Sequence, residues 1–273
     1  MTLAVDAGGT YLRGEIYQNG MVKKSFRDKS ADIGLVAWIE GILKENEDIK
    51  TICVSFAGQV KDGVILSAPN IIIDEKNIKI YFESHFGVEF FIQNDLNCAV
   101  LAEARYFKSD DVCAIYIGTG LGLGVISSSK LISGKDGVAT ELGHIPYKSS
   151  PFVCGCGKKN CLELFCSGIA LKNLKNYYDL DENLTLKELK NMHSVVYTEF
   201  EKALLYSVAI TITLFNPEVL VLGGGIIQNN PDLLEIVKLK IKEYAMGVSL
   251  KNLKIEQTRL ENASLSGAML KEI

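Results

Sequence analysis

Four of the seven cysteines fall within "VCGCGKKNCLELFCSG", residues 153–168, and His144 stands ten residues ahead of the first of them. The spacing His144-x9-Cys154-x-Cys156-x4-Cys161 offers three thiolates and one imidazole, the donor set of a closed, tetrahedral structural zinc site. Gly155 and Gly157 would loosen the loop around such an ion. Redox-active thiols and unbound structural cysteines are the competing readings of the same spacing. Cys166 is expected inside the following helix and outside the cluster. Cys53, Cys98 and Cys113 lie in apolar runs and read as small buried hydrophobes. An odd cysteine count, with an N-terminus "MTLAVDAGGT" that lacks a signal-peptide pattern, implies a reducing compartment, and a cytoplasmic protein is expected.

Three glycine turns form a second group. "DAGGT" contributes Asp6, Gly8, Gly9 and Thr10; "GTGLGLG" contributes Gly118, Thr119 and Gly120; "LGGGI" contributes Gly223, Gly224 and Gly225. A phosphate needs backbone N–H donors at close range, and glycine permits both the approach and left-handed backbone. No G-x4-G-K-[ST] loop occurs, and the third glycine of a dinucleotide fingerprint is absent after Gly118 and after Gly120. Each turn alone reads equally as a tight hairpin or strand end. Together they suit a nucleotide laid in a cleft, β- and γ-phosphates on the first two turns and the base near the third. Asp6 would then hold Mg2+ through water, since Mg2+ keeps several of its waters.

"FFIQNDLNCAVLAEA" places Asn94 and Asp95 between a strand and a helix. Either residue suits a helix N-cap. A carboxylate at the carboxyl end of a strand also suits the proton acceptor of a phosphoryl transfer to a hydroxyl. Asn70, Glu141, His144 and Glu163 are further polar residues in apolar or glycine-bearing settings; planar amides and carboxylates of this kind bind sugars, whose hydroxyls both donate and accept.

The elements that must position these groups follow from periodicity and turn signals. The 273 residues carry 48% hydrophobic and 23% charged side chains, a formal net charge of −4 and a sequence pI near 5.6. That balance is unlike a general nucleic-acid surface, and no apolar run has membrane-spanning length. Strands are expected at Leu3–Asp6, on both sides of an Asn19-Gly20 turn, at "IKTICVSFAG" and at "VEFFIQ". Helices are expected over 33–46, 75–86 and "LNCAVLAEARYF". The second half repeats the grammar: "VCAIYIGTGLGLGVISSSKLISG" as strand, turn, strand and a second hairpin, then helices near 163–176, 184–191 and 195–215. A strand at "EVLVLGGGI", a helix over 231–245, the strand "LKIEQ" and a last helix over 262–271 follow. Two α/β halves with mixed sheets are implied, each opening on a strand–glycine turn–strand unit, with a ligand cleft expected between them.

These motifs, in this order and nearly end to end, resemble the ROK family of repressors, sugar kinases and related reading frames. "DAGGT" and "GTGLGLGVI" resemble its two phosphate motifs, "NDLNCAVLAE" its catalytic segment, "ELGHIP" with "CGCGKKNCLE" its zinc signature, and "FNPEVLVLGGGI" its nucleotide-side strand. The resemblance implies an actin-like ATPase (ribonuclease H-like) fold, α/β in class. Residues 1–108 would form a smaller domain and 109–261 a larger one bearing the zinc loop, with the C-terminal helix, about 262–273, packing back on the first. It further implies phosphorylation of a hexose, at the C6 hydroxyl, by ATP and Mg2+ in a homodimer that binds neither nucleic acid nor membrane. Asp95 would be the general base; Asn70, Asn94, Asp95, Glu141, His144 and Glu163 would bind the sugar. Asp6, Gly8, Gly9, Thr10, Gly118, Thr119, Gly120 and Gly223–Gly225 would face ATP and Mg2+. A structural Zn2+ on His144, Cys154, Cys156 and Cys161 would shape the sugar pocket, His144 serving the metal through one ring nitrogen and the sugar through the other.

Ala57-Gly58 stands where the family usually has Pro-Gly, Ala139-Thr140 where it has Ala-Gly, and Asn160 where glycine is common; the chain is also short around 175–195. These departures bear on which sugar is used. Glucose is the first expectation, an N-acetylhexosamine or fructose the alternative, and a non-catalytic sugar-binding or regulatory protein the alternative of another class. The family's repressors carry a helix-turn-helix domain before the first phosphate motif, and "DAGGT" at residue 6 favours the kinase branch over them.

Overall fold

The computed structural model describes residues 1–68 and 71–270. The chain divides into two compact units. The first comprises Met1–Tyr106, Ser133–Ala139 and the chain from Leu260; the second comprises Phe107–Ile132 and Thr140–Arg259. Residues 133–139, expected with the second half, belong to the first unit. The reason is local: a Cβ at Gly137 would lie 2.7 Å from the Val60 carbonyl oxygen, and Lys61 pairs with Asp136 at 3.5 Å.

In the first unit β1 (Thr2–Ala7), β2 (Tyr11–Gln18) and β3 (Met21–Lys29) form a meander, followed by α1 (Leu35–Glu45) and β4 (Thr51–Phe56). Asn19 and Gly20 both take positive φ, 53° and 76°, the geometry a two-residue hairpin needs. β5 (Gln59–Lys61) and β6 (Val64–Ser67) make a small hairpin that periodicity did not reveal, because each strand is too short to alternate visibly. α2 (Ile78–Phe86), β7 (Glu89–Asn94) and α3 (Asp95–Phe107) follow. The sheet order is β3-β2-β1-β4-β7, with β1, β4 and β7 parallel and the meander antiparallel. β4, "TICVSF", is buried at every position, as a central parallel strand must be. One face of the sheet packs on α1 through Leu35, Trp38, Ile39 and Ile42. Gly34 offers no side-chain cap to α1, so a distant carboxylate caps it: Asp74 accepts from the amides of Val36 (3.1 Å) and Ala37 (3.0 Å).

The second unit repeats that topology. β8 (Val112–Ile117), β9 (Leu121–Ser127) and β10 (Lys130–Leu131) form the meander. α4 (Gly168–Tyr177), α5 (Leu186–Asn191) and α6 (Val195–Phe215) precede β11 (Val219–Gly223). α7 (Gly225–Asn229), α8 (Asp232–Lys240) and β12 (Lys254–Gln257) complete the unit. The order is β10-β9-β8-β11-β12, parallel and antiparallel in the same places as the first sheet. α6 spans the residues expected of it and buries Phe200, Leu204, Val208 and Ile212 at helical spacing. The helix expected from 163 begins only at Gly168. Leu162–Leu164 is instead a 3-10 turn, and Ser167 caps α4 by accepting from the Ala170 amide at 3.0 Å. Cys166 therefore lies before the helix, not within it, fully buried. The helix expected over 231–245 ends at Lys240 and tightens into a 3-10 turn at Ile241–Glu243. No helix among the described residues is long and apolar enough to cross a membrane.

α9 (Ala263–Ala268) belongs to the first unit and is made of small residues where it meets its neighbours. A Cβ on Gly267 would fall 1.7 Å from the carbonyl oxygen of Cys98, on the backbone of α3. Cys53, Cys98 and Ala268 form a buried cluster beneath that contact. Since backbone rather than a flexible side chain blocks the space, Gly267→Ala is expected to destabilise the protein by about 3 kcal/mol, read as a lowered midpoint in denaturant unfolding.

Candidate functional site

The first glycine turn closes the β1–β2 hairpin, with the Gly8 amide donating to Tyr11 O at 3.1 Å. Neither Gly8 nor Gly9 has positive φ, so left-handed backbone is not what these glycines supply. What the turn supplies is exposure: Gly9 and Thr10 are open to solvent. Ser30, fully buried, holds the turn from behind. Its hydroxyl donates to Gly8 O at 2.5 Å and its amide to Thr10 O at 3.2 Å. An isolated serine after a polar strand carried no signal in the sequence.

Asp6, at the end of β1, accepts from Ser264 at 3.4 Å and pairs with Arg13, its cross-strand neighbour, at 3.5 Å. Burial raises the Asp6 carboxyl above its ordinary value of 3.8, opposed by Arg13 and by hydrogen bonds from Ser264 and Asn262. One carboxylate with both oxygens already engaged does not make a direct Mg2+ cage. It fits an ion held through water.

The second turn has the same hairpin form, Gly118 N–H donating to Gly120 O at 3.0 Å. Again neither glycine has positive φ, and Thr119 is exposed. The turn is gripped from its own unit: Gly118 O and Thr119 O accept from the amides of Gly168 (2.8 Å) and Ile169 (3.2 Å), at the start of α4. The third turn differs. Gly223 and Gly224 are required by packing, since Cβ atoms there would lie 2.6 Å from the Tyr116 ring and 2.5 Å from Ile117 O. Gly224 alone of the turn glycines has positive φ, 86°, and within this third turn Gly225 is the glycine that faces open space.

His144, Cys154, Cys156 and Cys161 converge as the spacing predicts, their ligand atoms all within 4.8 Å of one another. Cys154 Sγ lies 3.4 Å from His144 Nδ1, and Cys156 Sγ lies 3.4 Å from Cys161 Sγ. A tetrahedral ion with Zn–S bonds of about 2.3 Å and Zn–N of about 2.0 Å sets ligand atoms roughly 3.5–3.8 Å apart. The cluster therefore fits a closed Cys3His metal site. Burial pushes the Cys154 and Cys161 thiols up, whereas the Lys158 amide draws Cys156 down, so metal binding must displace protons.

Two predicted carboxylates flank the cluster. Glu141 Oε2 is 3.8 Å from His144 Nε2, the ring nitrogen turned away from the cysteines. Glu163 Oε1 accepts from the Cys154 thiol at 3.1 Å, and its Oε2 accepts from the Leu121 amide at 3.4 Å. Thr140, beside Glu141, has φ 64°. A β-branched residue in the left-handed region is a strained outlier.

Asn94 and Asp95 sit where β7 passes into α3. Asn94 is the cap: its Oδ1 accepts from the amides of Leu96 (3.0 Å) and Asn97 (3.2 Å), and its Nδ2 donates to Gly58 O at 3.1 Å. Its side-chain oxygen is thus occupied by the backbone. Asp95 stands in the first turn, one oxygen on the Leu96 amide at 3.0 Å, at the helix end that favours an ionised carboxylate. Asn70 lies outside the described residues. A cavity of about 640 Å3 in the first unit is lined by Lys61, Lys79, Glu83, Gln93 and Lys135 and holds none of the predicted site residues; the chemistry-bearing groups lie elsewhere, so this volume is not taken as the site.

A family model described as the ROK family matches residues 2–270. The chain belongs to the ROK family. Among ROK proteins it is 27% identical to a glucokinase of Thermotoga maritima, over 97% of this chain and 95% of the relative. It is 25% identical to a xylose repressor of Caldicellulosiruptor bescii, over 89% of this chain and 63% of the relative. A ROK glucokinase of Streptomyces griseus, solved with glucose and AMPPNP, superposes with TM-score 0.78 at 27% identity, covering 98% of this chain and 97% of that one. A Listeria monocytogenes protein proposed as an N-acetylmannosamine kinase superposes with TM-score 0.84 at 26% identity, covering 99% and 97%. The duplicated sheets are those of the actin-like ATPase fold.

Two outcomes follow. Protein prepared without chelator should carry one zinc ion per chain by metal analysis, and Cys161→Ser should lose it. Asp6→Asn should be more stable than the parent at neutral pH in the absence of Mg2+. The sign follows from the raised carboxyl: the folded state binds this proton more tightly than the unfolded chain does, so ionising Asp6 costs stability as pH rises through its folded value. The advantage of Asn should vanish below the ordinary value of 3.8, where both states are protonated, as read by denaturant melts across pH.

Proposed function

We propose that the chain is an ATP-dependent sugar kinase that transfers the γ-phosphate of ATP to a hexose, glucose first, at its C6 hydroxyl. The observation that carries the reading is Asp95: a carboxylate at a strand-to-helix junction, hydrogen-bonded to the Leu96 amide and next to Asn94, which caps the helix. A carboxylate at the carboxyl end of a strand can orient an acceptor hydroxyl and take its proton as that oxygen attacks phosphorus. The similarity to the two glucokinases supports this reading.

In this account Glu141, His144 and Glu163 bind sugar hydroxyls, His144 through Nε2 because Nδ1 faces the cysteines. Asn94 contributes through the second hydrogen of Nδ2 rather than through its occupied oxygen. Asn70 is retained as a sugar ligand from the motif alone. The first two turns hold phosphate oxygens at their exposed residues, Gly9 and Thr10 in one and Thr119 in the other. Asp6 stands ready for the hydration shell of Mg2+, which when bound neutralises phosphate charge. The cluster holds zinc structurally and takes no part in proton or phosphoryl movement. A cytoplasmic homodimer completes the reading; α6 presents Tyr206 and Leu214 to solvent, side chains suited to such a contact.

The second reading, a sugar-responsive regulator without turnover, is favoured by the similarity to the xylose repressor. ADP release from ATP and Mg2+ across a panel of hexoses and N-acetylhexosamines separates the two. Turnover on one or two sugars is expected, with kcat in Asp95→Asn reduced by about 100-fold or more and KM for ATP little changed. Absence of turnover on every sugar, in folded and metal-loaded protein, would establish the regulator.

A further inference from the structure

The metal cluster and the second glycine turn meet at Leu121. The Leu121 amide donates to Glu163 Oε2 at 3.4 Å, and Glu163 is two residues beyond the metal ligand Cys161. The Leu121 carbonyl is approached from the other side by Gly143, one residue before the ligand His144. A Cβ there would lie 2.4 Å from Leu121 O and 3.3 Å from the Glu163 Cβ. The Glu163 carboxylate also fills the space above Gly120, where a Cβ would be 2.9 Å from Oε2. Upstream in the same turn, Gly118 O and Thr119 O are held by Gly168 and Ile169, on the helix that follows the cysteine segment.

We infer that the metal loop is a clamp on the phosphate turn: Glu163 and Gly143 are positioning residues that fix Leu121, and through it the turn Gly118–Gly120 with its exposed Thr119. Both jaws hang from metal ligands and lie in stretches with no more than a 3-10 turn of regular structure, Leu142–His144 and Leu162–Leu164. An ion that ties His144 to Cys161 fixes the separation of the two jaws. Without the ion they are tied by the chain, by the Pro146–Cys161 bridge and by backbone bonds further along the same two stretches, Leu162 N–H to Ile145 O at 3.0 Å and Tyr147 N–H to Asn160 O at 2.8 Å, which register the strands but leave the ligand side chains untied. The metal therefore governs nucleotide affinity as well as the sugar ligands beside it. This rests on the kinase reading for the identity of the anion and on the geometry alone for the clamp.

The test is amide hydrogen exchange across residues 118–122 of the full, zinc-loaded protein without substrate, together with the Kd for AMPPNP and Mg2+ in the absence of sugar. In Glu163→Ala the Leu121 amide is expected to exchange about tenfold faster and nucleotide binding to weaken about tenfold, the loss of a hydrogen bond to a charged acceptor. Glu163→Gln keeps an acceptor oxygen and should return both towards the parent, although a sugar needing the carboxylate would not recover. Chelating the metal from the parent should reproduce the exchange of Glu163→Ala. Where Glu163→Ala fails to hold zinc, Gly143→Ala presses on the carbonyl side without removing a polar group and should loosen the same amides. Unchanged exchange at Leu121 in every variant and after chelation would overturn the clamp. Faster exchange in a protein that binds no nucleotide would overturn the kinase reading and leave the clamp standing.

Discussion

Between β10 and α4 the chain runs through residues 132–167 without a ladder or an α-helix to hold it. Segments of that length inside a compact unit need another source of order. Here the only regular pieces are two 3-10 turns and one isolated bridge, yet the segment delivers Glu141, His144 and Glu163 to defined places. The convergence of three thiols and an imidazole is what the rest of the second unit's chemistry depends on. Remove it, and two carboxylates and the second glycine turn lose a shared anchor. Burial of Leu142, Leu162, Leu164 and Phe165 in the unit's core supplies part of that order, and a cation shared by the four ligands would add the rest.

The two units solve one problem twice with different parts. Each sheet opens on a hairpin whose short, glycine-bearing turn reaches solvent and still keeps its shape. In the first unit a single buried serine, Ser30, binds two carbonyls of the turn. In the second unit that work is divided among Glu163, Gly143 and the first amides of α4. The topology is duplicated; the support behind the turns is not. This difference makes the second turn answerable to the metal loop, while the first answers only to its own sheet.

Strands and helices were legible where periodicity is long. α6 and the central strands stand where their apolar residues put them, because burying a continuous stripe leaves one orientation. The β5–β6 hairpin was not legible, since three- and four-residue strands carry too little pattern. The start of α4 was misplaced because "LELFC" continues a helical spacing that the cap at Ser167 interrupts. Among the site residues, cysteine spacing carried the cluster because few other demands put three thiols so close. The supports are not legible: Ser30, Gly143 and Gly168 act through contacts with residues distant in sequence, and nothing in their own neighbourhood distinguishes them. Of the two properties for which glycine is expected in these turns, positive φ is used at none of Gly8, Gly9, Gly118 and Gly120, and small size is used at Gly8 and Gly120, where a Cβ would crowd Tyr11 O and the Glu163 carboxylate.

Thr140 shows how strongly the backbone is specified beside the cluster. By resemblance the position belongs to glycine, for which φ near 60° is free of steric cost. With threonine present the backbone still takes φ 64°, at a cost of order 1–3 kcal/mol for a left-handed residue other than glycine. The Leu142 amide donates to Thr140 O at 2.7 Å, and Leu142 opens the 3-10 turn that ends on His144. Relaxing Thr140 to an extended φ would swing that carbonyl away and rotate the turn, taking Gly143 off Leu121 and His144 out of the cluster. The strain persists because the metal loop over-determines the conformation. Thr140 is also next to Glu141 in the chain, so under the proposed kinase reading one residue bears on both the sugar pocket and the geometry of the metal loop.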